Sequence, residues 1–267
     1  MTAPSFSKLL EALEVRRGDV LYVQSSTDWL SRAGFTPAET LQRLREWVGS
    51  AGTLVMPAYP CRTTHLEYLS ARPTYDVRKT PAAVGLIPEV FRRMPNVLRS
   101  LDPDFCIAAE GVAARDLVES ALDEDPFGAS STYQRLLDRD ATLVGLGVSL
   151  NTNSFIHVID SRMQASYTHA PYAGSFEVGL VDNAGDRRMV KRLALAPAFQ
   201  RLTMPGAVVD RIGDAGMFAQ RSINGAIFFR WSLQPWSRWC HQHALDEARH
   251  GRMPCWLTRL DPDSSPA

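Results

Sequence analysis

Short apolar runs, separated by segments with helical spacing, fill the first half of the sequence and constrain what it can fold into. "DVLYVQ", "GTLVMPAY" and "ATLVGLGVSL" read as buried strands. "FSKLLEALEV" and "TPAETLQRLREWVG" place apolar residues three and four apart. The second has Thr36 as a cap, Pro37 at the first helical position and Gly49 near its end. Helices alternating with strands predict an α/β protein with a mixed central β-sheet flanked by helices. "EGVAARDLVESAL" and "STYQRLLDRD" read as further helices, and "TNSFIHVIDSRMQ" as the helix after the third strand. "PCRTTHLEYLSARPTYDVRKTP" lacks periodicity, which marks it as a functional or mobile connection. Thr80 and Pro81 look like the cap and first residue of a helix in "AAVGLIPEVFRRMP". Further on, "SFEVGLVDNAGDRRMVKRLAL" reads as two strands joined by a turn at Asn183, Gly185 and Asp186. "GAVVDRIG" and "GAIFFRWSL" read as strands and "QPWSRWCHQHALDEARHG" as a closing helix. One domain over residues 1–260 is expected, with a disordered end over 261–267.

A chain of 267 residues, 45% of them hydrophobic, can bury a core without disulfide or metal staples. Its 29 basic residues balance 29 acidic ones, so it offers no footprint for nucleic acid and no polybasic membrane patch. No apolar run approaches the roughly 20 residues of a membrane helix, and the N-terminus has no secretory pattern. A cytoplasmic protein is expected. Cys61, Cys106, Cys240 and Cys255 form no CxxC pair. His241 and His243 are two apart on different helix faces, so no metal is expected. The tryptophan-rich "RWSLQPWSRWC" suits a homodimer interface or, as large aromatics more often do, the core.

Several residues are candidates for chemistry. His157 and Asp160 are three apart and share a helix face just after a strand, where open α/β sheets gather ligands. A histidine there suits a general base, although a lone histidine on an apolar face is more often a packed core residue. Ser25 and Ser26 end the first strand, where hydroxyls and N–H groups can meet phosphate or carbonyl oxygen; a turn with a helix cap is the simpler reading. Arg78 and Lys79 precede the helix expected at Thr80, an arrangement that suits an anion and equally a capped helix with solvated charges. Asp102 and Cys106 lie in a Pro-marked loop; a free cysteine is usually a buried small hydrophobe.

Six blocks occur in one order: "GDVLYVQSS", "GTLVMPAY", "YDVRKTPAAVGLIPEVFRR", "LRSLDPDFCIAAEG", "DPFGASSTYQRLL" and "LVGLGVSLNTNSFIHVID". From about Gly18 to Arg162 the chain resembles the aminoglycoside 3-N-acetyltransferase family. The resemblance implies an α/β fold unrelated to the commoner acetyltransferase fold, with acetyl-CoA as co-substrate and a small-molecule amine as acceptor. It implies a role in antibiotic modification. It places His157, in the position of the histidine of an "HxxE" block, as base, with Asp160 beside it. It implies coenzyme contacts from Ser25 and Ser26, and from the neighbourhood of Thr80 and Pro81. Four positions depart from the family pattern: Gln24 and Asp102 stand where histidine is usual, Cys106 where serine is, and Asp160 where glutamate is.

The expected reaction is direct attack of an amine on the acyl thioester, with His157 removing the proton. Backbone N–H groups of the Ser25–Ser26 turn or of the Thr80 turn would hold the oxyanion. Arg78 and Lys79 would meet coenzyme phosphate, and Asp102 and Asp160 would attract the cationic acceptor. Two alternatives stand beside it: a Cys106 acyl-enzyme, and a member of the fold that has become a binding protein.

Overall fold

The computed structural model describes residues 5–119, 122–200 and 206–260; the expected disordered end, 261–267, lies outside them. Its strands are β1 (Val20–Ser25), β2 (Thr53–Pro57), β3 (Thr74–Asp76), β4 (Leu98–Arg99), β5 (Ile107–Gly111), β6 (Thr142–Leu146), β7 (Tyr172–Val181), β8 (Arg187–Leu195), β9 (Phe218–Ile223) and β10 (Ala226–Ser232). Seven form one sheet in the order β4-β5-β2-β1-β6-β10-β9, and β3-β7-β8 form a second. β1 pairs in parallel with both β2 and β6, while the outer strands of the large sheet are antiparallel, so the sheet is mixed as expected.

The central strands are apolar on both faces because both faces are covered. Leu21, Val23, Leu54, Met56, Val144 and Leu146 point to one core, with Leu41, Leu44 and Trp47 of the helix Pro37–Val48. Tyr22, Val55 and Leu143 point to the other, with Val158 and Ile159 of the helix Ile156–Met163 and Trp236 and Cys240 of the helix Leu233–Arg249. Trp231 and Trp236 are buried in this second core, so the tryptophan-rich stretch is chiefly packing. No helix among the described residues is long and apolar enough to cross a membrane.

Three expectations change. The segment before Arg78 is not structureless: it holds a helix, His65–Ser70, and strand β3. Thr64 and Glu67 form a reciprocal capping box at the start of that helix. The run "GAVVDRIG" is a helix, Gly206–Asp214, and not a strand; a short apolar run carries no decisive period. Thr80 does not cap a helix. Its hydroxyl accepts from Asp76 N at 2.8 Å, its N–H donates to Asp76 O at 2.9 Å, and Asp76 Oδ1 accepts from the N–H groups of Arg78 and Lys79. A closed turn results, and the helix waits until Leu86.

The loop between Thr80 and Gly85 is pinned by Glu89, which accepts from Ala82 N at 2.7 Å and pairs with Arg92 and Arg93. Burial alone would raise this carboxyl, but the hydrogen bonds from Arg92 and Ala82 outweigh it and hold it at about 2. A depressed carboxyl contributes its full stabilisation above the ordinary carboxylate range and loses it as pH falls toward the folded value. Glu89→Gln should therefore lower the Tm at neutral pH, by about 1 kcal/mol of stability. The deficit relative to the parent should shrink between about pH 5 and about pH 3; thermal melts across that range check it, and a constant deficit would contradict it.

Candidate active site

A cleft of about 420 Å³ opens at the carboxyl ends of the parallel strands, where open α/β sheets gather ligands. Gln24 and Ser25 come from the end of β1, Pro57 and Tyr59 from the end of β2, and Val148 from the segment after β6. Phe105, Val84, Leu195 and Gln200 close the sides, and Asn151 to Ser154 run along the rim to His157.

The chain reaches His157 through a constrained path. Gly147 leaves β6 with φ +69°, and a Cβ there would lie 2.5 Å from Trp29 Cβ, so glycine is required. A 3-10 turn over Leu150–Thr152 follows, with Ser149 accepting from Asn151 N. Asn153 Oδ1 then accepts from Phe155 N at 3.1 Å and opens the helix Ile156–Met163. His157 is therefore the second residue of its helix, in the first turn. Gln24 braces the approach: its Nε2 donates to Thr152 O at 2.7 Å and its Oε1 accepts from Thr152 Oγ1 at 3.1 Å. One amide does both jobs, a physical account of glutamine at this position.

His157 is 6% exposed and lines the cleft. Its Nδ1 donates to Asp160 Oδ2 at 3.3 Å, and Phe127 packs against the ring at 5.0 Å between centroids. A carboxylate can only accept, so the proton of the neutral ring belongs on Nδ1 and Nε2 keeps its lone pair. Asp160 is fully buried behind the imidazole, and its Oδ1 accepts from Tyr167 at 3.2 Å and Trp256 at 3.4 Å. It lies behind the ring and does not line the cleft, so the expectation that it also contacts the acceptor is corrected by that burial.

Asp102 is corrected as well. It does not line the cleft: Oδ1 accepts from Phe105 N at 2.8 Å and Oδ2 from Arg192 Nη2 at 2.7 Å. Arg192 also donates to Asp104 Oδ1 at 2.9 Å, and Asp104 Oδ2 accepts from His65 Nε2 at 2.9 Å. Burial would raise Asp104, but the charge of Arg192 and the hydrogen bonds it receives hold it well below the usual range. His65 Nδ1 accepts from Leu195 N, so the network props one wall of the cleft.

Of the expected coenzyme contacts, Ser25 lines the cleft and Ser26 does not; the Ser26 N–H is used by Leu146 O. Neither the Ser26 nor the Thr80 N–H is therefore free to hold an oxyanion. Arg78 lies in a separate cavity of about 700 Å³ with Arg92, Arg93, Arg99 and Arg115. Lys79 is exposed, 4.0 Å from Asp76, and Thr80 is spent in its turn. Cys106 is fully buried, donates to Ala58 O at 2.8 Å and lies outside the cleft, and burial raises its thiol pKa. It cannot receive an acyl group there. No His/Cys/Asp/Glu group among the described residues is arranged to hold a metal ion.

Residues not singled out from sequence complete the site. The hydroxyls of Tyr22, Tyr59 and Tyr133 hydrogen-bond to one another, and Tyr59 donates to Ser154 at 3.4 Å. Burial raises all three phenols, so they are neutral donors at pH 7. Three buried polar atoms of cleft-lining residues have no protein partner: Ser25 Oγ, Asn153 Nδ2 and Gln200 Oε1. Such atoms cost about 1–3 kcal/mol each when nothing pairs with them; all three are enclosed by protein and are not open to the cleft.

Residues 22–214 match the family model described as aminoglycoside 3-N-acetyltransferase. The chain is 29% identical over 189 residues to aminoglycoside N(3)-acetyltransferase IV of Salmonella sp, covering 69% of each chain. It is 28% identical over 169 residues to aminoglycoside N(3)-acetyltransferase VIII of Streptomyces fradiae, covering 58% of this chain and 59% of that one, so it spans about three-fifths of that relative. Its fold matches a crystal structure of a mutant of aminoglycoside acetyltransferase AAC(3)-IVa in complex with apramycin, with a TM-score of 0.70 and 20% identity, over 96% of this chain and 99% of that one. It also matches AAC-IIIb described as binary with CoASH, with a TM-score of 0.66 and 22% identity, over 96% of both chains.

The His157 tautomer is directly observable. Proton–nitrogen correlation spectra of the neutral ring should show Nδ1 protonated and Nε2 bare. The Nε2–H tautomer would contradict the orientation assigned to Asp160.

Proposed function

Because this chain belongs to the aminoglycoside 3-N-acetyltransferase family, a family of acyltransferase enzymes, we propose that it moves an acetyl or related acyl group from acyl-CoA to an amine. The acceptor is an aminoglycoside, an amino sugar or a similar small molecule, and His157 is the general base. The observation that carries the reading is the imidazole on the cleft wall, with Nδ1 engaged by a buried carboxylate and Nε2 left as acceptor. The names of the relatives support the acceptor class, and the CoA-bound structural neighbour supports the donor.

The acceptor ammonium first loses one proton to solvent. As the amine nitrogen attacks the thioester carbon, the C–N bond forms and His157 Nε2 takes the second proton. The C–S bond then breaks, and the leaving thiolate takes that proton from the imidazolium. Asp160 stabilises the transient positive ring and keeps it facing the cleft. The oxyanion needs fixed donors, and the Ser26 and Thr80 N–H groups are already used. Val84, Val148 and Leu195 give the acyl-pantetheine end an apolar wall.

His157→Ala should reduce kcat by about 100-fold or more while leaving CoA affinity close to that of the parent, with a lower Tm because buried Asp160 loses one of its partners. Steady-state thiol release with a panel of amines reads this. An unchanged rate at neutral pH would remove the imidazole from the mechanism.

A further inference from the structure

Three phenols meet behind one wall of the cleft. Tyr22 is on β1, Tyr59 follows β2, and Tyr133 is in the helix Thr132–Asp138. Tyr59 lines the cleft, while Tyr22 and Tyr133 are buried. Phe105, Phe127 and Phe155 pack around them, and Phe127 also packs against His157, so the phenols and the imidazole share one aromatic frame. Each phenol has one proton to donate and an oxygen that accepts. Tyr59 gives its proton to Ser154 Oγ at 3.4 Å. Tyr22 bonds Tyr59 at 2.8 Å and Tyr133 at 3.2 Å, and Tyr133 also bonds Tyr59. With the Tyr59 proton spent outward, the other two protons stay inside the triad and point, directly or in relay, toward Tyr59.

The series of donors ends at Ser154. Its Oγ accepts from Tyr59, so its own proton is directed elsewhere, and no acceptor among the described residues takes it. Ser154 is half-buried and lines the cleft just before His157, whose N–H donates to Ser154 O at 3.2 Å. Three residues apart at a helix start, the two side chains share a face. Linked hydrogen bonds polarise one another in a low-dielectric interior, so a serine fed by buried phenols is a stronger donor than a solvated one. Resting on the acyl-transfer reading, we propose that Ser154 Oγ is the fixed donor to the thioester oxyanion and that Tyr59, backed by Tyr22 and Tyr133, is the positioning residue that aims it. As the C–N bond forms, the carbonyl π pair moves onto oxygen, and Ser154 donates to that oxygen without giving up its proton. When the C–S bond breaks, the pair returns. Burial keeps the phenols neutral at pH 7, so the relay donates hydrogen bonds and takes no proton from the amine.

The test follows thiol release from acetyl-CoA with the best acceptor among apramycin, gentamicin, sisomicin and glucosamine, with CoA affinity measured separately by calorimetry. Ser154→Ala should lower kcat by about 100-fold, with the KM values and CoA affinity little changed, the pattern of an interaction made only in the transition state. Ser154→Thr, which keeps a hydroxyl, should recover most of the rate. Tyr59→Phe, which keeps the ring, should lower kcat by about tenfold, on the order of one hydrogen bond. Added to Ser154→Ala, it should cost nothing further, because its effect runs through that hydroxyl. The pH profile of kcat/KM should keep its shape in each single variant, since no proton is exchanged with the relay. An unchanged kcat in Ser154→Ala overturns the inference, as does a threonine variant as slow as the alanine one, or a Tyr59→Phe penalty of equal size in both backgrounds. Failure of the parent to bind CoA, or to turn over any of the four amines, would instead overturn the acyl-transfer reading and the inference with it.

Discussion

Asp160 is the residue around which the reactive part of the molecule closes. A fully buried carboxylate is tolerable only when hydrogen bonds replace its water, and this one collects them from three directions: His157 on its own helix, Tyr167 ahead of β7, and Trp256 in the C-terminal turn. The need to satisfy one charge thus draws together three segments, and the same bonds fix the imidazole that faces the cleft. Packing and chemistry are not alternatives for His157. The ring is nearly buried and still borders the cavity, so packing in the core is compatible with the proposed role as base.

A second buried network sets the opposite wall. Arg192 on β8 bridges Asp102 and Asp104 before β5, and His65 ties Asp104 to Leu195. The three-stranded sheet is thereby locked to the loop that presents Phe105. Asp102, which looks like a substrate carboxylate when only its loop is considered, is a structural carboxyl whose partner, Arg192, lies on the second sheet.

What could be read from sequence was local. The strand that ends at Leu146, the helix that carries His157 and Asp160 three apart, the turn at Asn183 to Asp186 and the Thr36–Pro37 helix start all depend on neighbours in the chain. The Thr64–Glu67 capping box was equally local and was passed over because the apolar period around it is weak. Arg192 with Asp102, Gln24 with Thr152 and Trp256 with Asp160 are pairs separated by 90, 128 and 96 residues. No spacing rule reaches that far, and these pairs decide which polar groups face the cleft and which are consumed. The same limit explains Arg78: its position before a Thr-Pro pair suggested a helix start, but Asp76 had already claimed the neighbouring N–H groups.

The central claim is that the free nitrogen of His157 faces a docked thioester. A crystal structure of the protein with CoA tests it most directly. The account predicts the coenzyme sulfur in the cleft between Ser25 and His157, within hydrogen-bond or one-water reach of Nε2. A sulfur placed elsewhere, with the imidazole covered by protein in the complex, would contradict it.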